Sequence, residues 1–346
     1  MDYLYKEKTS KSHGMLKTYV YVEKTYELQW HPSFAYTECL PYWVAYIKNS
    51  EIQYSSCLKI KPRWMYDMKS TLKSFKLSEV MLPGIHENGY IGNIAHPVFR
   101  PTEMKWSTFN GMDVWNLLIY GVRYFDFRLY CDNNTKKIRV LSGNVPSTDF
   151  SEILDSLSRF IYSTQEIVIL NLSWLDSSIT SDKGLTQILI KELKEKLGDI
   201  AIYRNKAPDP KLEDLWKTNT RVLIICPESI DAEFIWDPTL ASMFIKPNLE
   251  DFLITLASSM GLTTGIIDKN LTYDQFIKQA GTYKDFPQLS TSLLRTQRDW
   301  CSKINILSTD FILSTDVVAI SIEVNNRFNK SKLLNSILFY LIKLGL

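Results

Sequence analysis

Histidine is scarce in this chain of 346 residues, which contains only 4, and neither sign of charge is in excess. The 40 basic and 38 acidic residues give a net charge of +2, so the composition provides no general attraction to nucleic acid or another polyanion. Cysteine pairs at zinc-binding spacing and a glycine-rich phosphate loop are both missing. We therefore expect no nucleic-acid partner, and any chemistry must depend on a small number of residues.

The 5 cysteines are scattered and odd in number, which excludes a dense disulfide framework. Cys39 and Cys57 are candidates for one N-terminal bridge, and the alternative is that all thiols are reduced. The first twenty residues contain no apolar segment of the signal-peptide type. The sequence therefore leaves the compartment open between the cytoplasm and a mature secreted form.

The pattern of residues changes along the chain. Residues 1–75 contain alternating and aromatic runs such as KTYVYVEKTYELQW and YWVAYIKN, which are typical of a small antiparallel β module. Residues 76–330 alternate strand-like and helix-like runs, and this length of about 250 residues favours an α/β fold, specifically a distorted (β/α)8 TIM barrel. Residues 331–346 are apolar but too short to span a bilayer, so we predict a closing helix, with contact at a membrane interface as the alternative.

Polar side chains follow the predicted strands of the barrel, where the carboxyl ends of the strands meet at one mouth. Asp126 and Arg128 are two residues apart on one strand, so their side chains point to the same face. A base, an acid and a cation brought together suit cleavage of a phosphodiester by an attacking hydroxyl group. Polar residues also begin loops in any α/β protein, which is the alternative interpretation for individual members. The set comprises His86, Asp126, Arg128, Ser142, Asn171, Glu228 and Asp310.

Three segments resemble the X domain of phosphatidylinositol-specific phospholipase C, in its bacterial and small X-domain-only form. LPGIHENG is similar to the family's LPGTHDSG, YGVRYFDFRLY to YGIRYLDLRV, and STDFILSTDVVAISIEVNN to SSDFV followed by a helix that ends in Asn. RFIYSTQEIVILNL and LEDLWKTNTRVLII also resemble segments of the family. The resemblance covers residues 76–328 in collinear order and implies a barrel. Arthropod X-domain proteins are similar in placing a β module ahead of it.

The resemblance implies a role for each matching residue. His86 corresponds to the base that takes the proton from the inositol 2-hydroxyl group, and Glu87 to the carboxylate that binds the inositol. Asp126 and Arg128 correspond to the acid and the cation of the same strand, and the cation stabilises the phosphorane. Asp310 corresponds to the residue that holds the histidine in the correct tautomer. Arg128 stands where a calcium-dependent relative has acidic ligands, so the resemblance implies neither a metal nor another cofactor.

Ser142 marks the departure from the family, which places a second histidine there as the general acid. A hydroxyl group has no pKa near neutrality, and loss of a positioned acid typically lowers a rate by about 10²–10⁴. We therefore expect Ser142 and Asn171 to contribute to substrate binding rather than to proton transfer. Of the remaining histidines only His96 is a candidate substitute, and a loop or capping role is its alternative.

Two functions of different classes follow from these residues. The first is a phosphoric diester hydrolase, slow or inactive, that cleaves an inositol phospholipid to diacylglycerol and a cyclic inositol phosphate. The second is a pseudoenzyme that binds inositol phosphate headgroups or a protein partner. A purely structural barrel, the third alternative, has no need for the catalytic set. The expected partner is an inositol phospholipid or its headgroup, and peripheral membrane contact stays open.

Overall fold

The structure is a computed structural model that describes residues 39–85, 113–132, 134–142, 145–205, 209–226, 230–238, 305–308 and 317–327. All of them lie in one compact unit, residues 31–346. The strands are β1 Cys39–Lys48, β2 Glu51–Lys59, β3 Leu82–Ile85, β4 Tyr124–Cys131, β5 Ile138–Ser142, β6 Val145–Asp149, β7 Val168–Leu175, β8 Val222–Ile225, β9 Ile235–Trp236 and β10 Ile306–Ser308. The helices are α1 Trp64–Asp67, α2 Lys69–Leu72, α3 Val114–Tyr120, α4 Phe150–Thr164, α5 Ser177–Ser181, α6 Lys183–Leu197, α7 Leu212–Lys217 and α8, residues 317–327.

The main sheet contains six parallel strands in the order β10-β3-β4-β7-β8-β9. Helix α4 connects β6 to β7, and helices α5, α6 and α7 lie in the chain between β7 and β8. This arrangement confirms the α/β class that the alternating sequence pattern predicts. Within the described residues the sheet does not close on itself, so closure into a (β/α)8 barrel stays a prediction.

The strand register gives the sheet one face with two layers, which we call the site face. Its lower layer contains apolar residues, namely Leu82, Tyr124, Ile169, Leu223 and Ile306, of which the first and last are paired with each other. Its upper layer contains Asp126 and Asn171, which are paired across β4 and β7. Trp64, Phe75 and Trp216 belong to the same buried cluster as the lower layer. The site face is therefore apolar at the amino ends of the strands. Its upper layer is polar on β4 and β7 and apolar on β8 and β9, where Ile225 is paired with Trp236.

Helix α4 covers the sheet with an apolar face that the sequence predicts. Its side chains at three- and four-residue spacing are all buried, as this period requires of an amphipathic helix. They are Phe150, Ile153, Leu154, Leu157, Phe160 and Ile161. Burial of each side chain of this size contributes about 1.5–3 kcal/mol before conformational entropy is subtracted.

The N-terminal described segment is a two-stranded antiparallel sheet formed by β1 and β2. This agrees with the predicted antiparallel β module, although the proposed boundaries at residues 75 and 330 stay predictions. A disulfide joins Cys39 and Cys57. The alternative that all thiols are reduced is therefore wrong for this pair, whereas Cys131 and Cys226 are free and buried. Cys301 lies outside the described residues.

The segment of residues 60–75 contains the short helices α1 and α2, which the strand-like runs in the sequence do not predict. The reason is tertiary, because the backbone amides of Met65 and Tyr66 donate hydrogen bonds of 3.2 and 2.7 Å to the carboxylate of Glu166. The indole of Trp64 also donates to the carbonyl oxygen of Gly121 at 2.9 Å. These contacts attach the segment to residues that immediately precede β4 and β7.

Glu166 also forms a fully buried ion pair with Arg123 at the amino ends of β4 and β7, where Arg123 Nε lies 2.7 Å from Glu166 Oε2. The other N–H groups of the Arg123 guanidinium donate to the carbonyl oxygens of Leu118, Val122, Lys61 and Pro62 at 2.7–3.2 Å. Burial raises the pKa of Glu166 and lowers that of Arg123, and the opposite charge of each partner counteracts the shift. All five N–H groups of this arginine are thus used inside the protein.

Helix α8 fixes the start of β3 through Asn325. Its amide oxygen accepts from the amide of Met81 at 2.9 Å, and its amide nitrogen donates to the carbonyl oxygen of Met81 at 3.0 Å. The same helix packs against Gly121, which ends α3 with φ 118°. A Cβ atom at Gly121 would lie 2.6 Å from Cγ1 of Val318, so the position requires glycine for both its backbone angle and its packing. These contacts give physical reasons for the glycine of YGVRY and the asparagine that ends the last matching segment.

Candidate active site

Asp126 and Asn171 form the centre of the candidate site on the upper layer of the site face. They are paired across β4 and β7, and the side-chain amide of Asn171 lies 3.4 Å from Oδ1 of Asp126. Asp126 is only 5% exposed. A buried carboxylate needs hydrogen-bond donors, and the Asn171 amide supplies one. The structure therefore brings together two residues that the sequence predicts for the site.

Tyr124 belongs to the same group, although the sequence analysis did not single it out. Its hydroxyl oxygen accepts a hydrogen bond of 3.0 Å from the amide of Asn171. Burial raises the pKa of the Tyr124 phenol far above its ordinary value, the charge of Asp126 raises it further, and the bond from Asn171 opposes the shift. The phenol thus stays neutral at pH 7. The period-two spacing of Tyr124 and Asp126 on one strand is the signal that could have identified it.

A β-bulge separates the Asp126 pair from the next pair toward the carboxyl ends. Asp126 is paired with Asn171 and Arg128 with Trp174, so two steps along β4 correspond to three along β7. In a regular strand, residues three apart point to opposite faces. The extra residue places Asn171 and Trp174 on the side of Asp126 and Arg128, because a bulge shifts the alternation by one.

Arg128 lies against the ring of Trp174, with 4.9 Å between the guanidinium carbon and the ring centroid. Arg128 is half-buried, and Trp174 is 38% exposed. This distance lies within the range of a cation–π interaction. Sequence spacing could not predict the contact, because the bulge is not visible in an apolar strand pattern.

Ser142 ends β5, whose partner on one side is β4 and on the other β6. The prediction that Ser142 follows a parallel strand is wrong, since β5 is antiparallel to β4. Only a short turn joins the two strands, and a parallel connection needs a dozen or more residues. The antiparallel register nevertheless pairs Leu141 with Arg128, so the backbone of Ser142 comes beside Phe127 in the middle of β4.

The remaining predicted site residues lie outside the described part of the chain: His86, Glu87, His96, Glu228 and Asp310. Two of them follow described strands in the sequence, His86 after β3 and Asp310 after β10. Strand β3 ends at Ile85, which is paired with Phe125, and β10 ends at Ser308, which is paired with Gly84. Strands β10 and β3 are adjacent and parallel, and β3 is also adjacent to β4.

The described residues contain no group of three or more His, Cys, Asp or Glu side chains that could hold a metal ion. Cys226 directly follows β8, but burial raises the pKa of its thiol to about 12, so the thiolate is not populated at pH 7. In the same part of the chain, every helix is too short or too polar to cross a membrane.

Relatives among known proteins carry the X-domain name. Models of known protein families do not match the sequence. A PI-PLC X-box domain-containing protein of Dictyostelium discoideum is 27% identical over 198 residues, which are 52% of this chain and 26% of that protein. The chain thus spans about a quarter of that relative. PI-PLC X domain-containing protein 3 of Mus musculus is 21% identical over 315 residues, which are 78% of this chain and 95% of that protein.

A solved structure has a similar fold. It is a mutant of the phosphatidylinositol-specific phospholipase C of Staphylococcus aureus, with a TM-score of 0.52 and 15% identity. The alignment covers 76% of this chain and 97% of the bacterial enzyme. At this identity the likeness concerns the fold.

Proposed function

We propose that this chain, which is similar in sequence to PI-PLC X-domain proteins, binds the headgroup of an inositol phospholipid at the carboxyl edge of its sheet, with weak or absent cleavage. The observation that carries the proposal is the cluster of Asp126, Asn171 and Arg128 on one side of β4 and β7. In a parallel α/β fold the carboxyl edge is where ligands bind. We also propose that the sheet closes into a barrel around this edge.

We propose the following reaction for the site. His86, the residue after β3, takes the proton of the inositol 2-hydroxyl group as its oxygen attacks phosphorus. The bond between phosphorus and the diacylglycerol oxygen breaks, which yields a cyclic inositol phosphate and an alkoxide that must gain a proton. Arg128 stabilises the charge of the phosphorane, and Asp310 holds His86 in its tautomer. Glu87, Asn171 and Ser142 contribute to headgroup binding. Asp126 supports the positive charge of the Arg128 guanidinium.

Protonation of the leaving alkoxide is the weak step in this chain, because Ser142 stands at the family's acid position. The neighbouring candidates among the described residues are poor acids. Tyr124 has a raised pKa and is 9% exposed, and the pKa of Cys226 is about 12. This favours the second candidate function, a pseudoenzyme that binds an inositol phosphate headgroup without appreciable turnover. Binding of a protein partner is its alternative.

The test is to incubate purified protein with phosphatidylinositol in excess chelator and to follow cyclic inositol phosphate by ³¹P NMR. We expect a rate about 10²–10⁴ lower than that of a two-histidine family member, and partial recovery in Ser142→His. Calcium should not change the rate, because Arg128 itself supplies the positive charge. Micromolar calcium binding that depends on Asp126 would contradict metal independence.

His86→Ala and His96→Ala are the matched pair for assigning the base. We expect His86→Ala to abolish any residual turnover and His96→Ala to leave it unchanged. Wild-type turnover equal to that of a two-histidine enzyme, with this same pattern, would show that another group serves as the acid. The pseudoenzyme proposal would then be wrong.

A further inference from the structure

The Trp174 side chain has an unusual position on β7. It is a large aromatic residue at the carboxyl end of the strand, it is 38% exposed, and it comes to the site side only through the bulge opposite Phe127. A bulge interrupts the strand pairing, and bulges beside active sites redirect side chains. The consequence here is a contact with Arg128, whose guanidinium carbon lies 4.9 Å from the centroid of the Trp174 ring.

We propose that Trp174 is a positioning residue that holds the guanidinium of Arg128 in the orientation that receives a phosphate group. The proposal rests on the proposed function of the site and adds a residue to it. An aromatic ring beside a guanidinium attracts it and limits the rotation of the long arginine side chain. The Trp174 ring therefore favours one orientation of the Arg128 guanidinium, whose planar fork is suited to bidentate binding of a phosphate group.

Arg123 shows what distinguishes this arrangement from ordinary packing. It also lies near aromatic rings, 5.0 Å from that of Phe160 and 5.9 Å from that of Trp64. However, its side chain is fully buried, and protein oxygens accept hydrogen bonds from all its N–H groups. Aromatic contact alone is therefore not a sign of ligand binding. Trp174 differs because it contacts a half-buried arginine at the ligand edge of the sheet.

The experiment compares the full-length wild type with Trp174→Ala, Trp174→Phe and a control, Tyr162→Ala. Tyr162 is a surface aromatic on α4 that is 55% exposed and takes no part in the site. The first readout is the Nε–H signal of Arg128 in protein with ¹⁵N-labelled arginine, assigned by its loss in Arg128→Lys. Loss of the indole ring current moves this signal in any orientation, so the quantity compared is its ¹⁵Nε relaxation order parameter, which reports how firmly the guanidinium is held. The second readout is the dissociation constant of inositol 1-phosphate.

We expect Trp174→Ala to lower the Nε order parameter of Arg128 and to weaken inositol 1-phosphate binding by about 3- to 10-fold, the range of a partly exposed cation–π contact. Trp174→Phe should keep most of the affinity, since it retains a ring, and Tyr162→Ala should match the wild type. Circular dichroism checks that each variant is folded. An unchanged Nε order parameter of Arg128, or wild-type affinity in Trp174→Ala, would overturn the proposal.

The design separates this proposal from the function on which it rests. If the wild type neither binds inositol 1-phosphate nor cleaves phosphatidylinositol, the proposed function fails. The Arg128 signal is measured without ligand, so it still decides whether Trp174 orients the guanidinium. If the wild type binds and Arg128→Lys loses affinity while Trp174→Ala does not, the function stands and the role of Trp174 is rejected.

Discussion

Strands β4 and β7 carry charged groups at both of their ends, and the two groups differ in how deeply their arginine side chains are buried. At the amino ends Arg123 and Glu166 are fully buried, and their hydrogen bonds are made to each other and to the backbone. At the carboxyl ends Asp126 is held by Asn171, and the half-buried Arg128 lies over the partly exposed ring of Trp174. The same residue types thus stabilise the fold at one end and form a candidate ligand site at the other.

Glu166→Gln should have the largest effect on stability, because it leaves the guanidinium of Arg123 buried without a counter-charge. We expect the free energy of unfolding to fall by about 3–5 kcal/mol in urea denaturation. The control is Glu195→Gln, where the ion pair with Lys191 at 3.7 Å is on the surface and the carboxyl side chain is 59% exposed. That change should cost about 0.5 kcal/mol or less. Equal losses in the two variants would contradict the structural role of the buried pair.

Gly121→Ala tests the packing that leads into β4. The φ of 118° and the approach of Val318 both disfavour a Cβ atom, so we expect a loss of about 2–4 kcal/mol in the same assay. Val318→Ala in the same chain removes the approach but not the backbone strain. The double variant should therefore recover only part of the loss. Full stability in Gly121→Ala would show that this turn relaxes freely.

Arg128→Gln should separate binding from folding at the other end of the strand. We expect inositol 1-phosphate to bind about 10- to 100-fold more weakly, which corresponds to the loss of a charge-assisted hydrogen bond of about 1.5–3 kcal/mol. The free energy of unfolding should change by about 1 kcal/mol or less. Unchanged affinity in calorimetry, with the wild type binding, would remove Arg128 from the site.

Tyr124→Phe should have the smallest effect. It removes the hydroxyl that accepts from Asn171 at 3.0 Å but keeps the ring in the buried cluster. We expect a stability loss of about 0.5–1.5 kcal/mol in urea denaturation and less than about a threefold change in affinity for inositol 1-phosphate. A larger loss of affinity would mean that the hydroxyl contacts the ligand rather than the amide alone.

The sequence predicts the local parts of this structure better than their combinations. Period-two spacing on β4 predicts that Asp126 and Arg128 share one face, and helical periodicity predicts the buried face of α4. The Arg123–Glu166 pair could not be predicted, because the residues are 43 positions apart and meet only through the strand pairing. The contact between Arg128 and Trp174 depends on a bulge. The antiparallel direction of β5 depends on the short turn before it, which the strand pattern alone does not distinguish from a longer connection. Each missed feature is set by tertiary pairing rather than by local pattern.

The most direct test of the contrast between the two ends of β4 and β7 is a titration of inositol 1-phosphate into the wild type, Asp126→Asn and Glu166→Gln. Each protein is measured at a temperature where circular dichroism shows that it is folded. We predict saturable binding in the wild type, binding weakened at least about tenfold in Asp126→Asn, and unchanged affinity in folded Glu166→Gln. Absence of saturable binding in the wild type, or equal losses in the two variants, would contradict the assignment of the carboxyl edge as the ligand site.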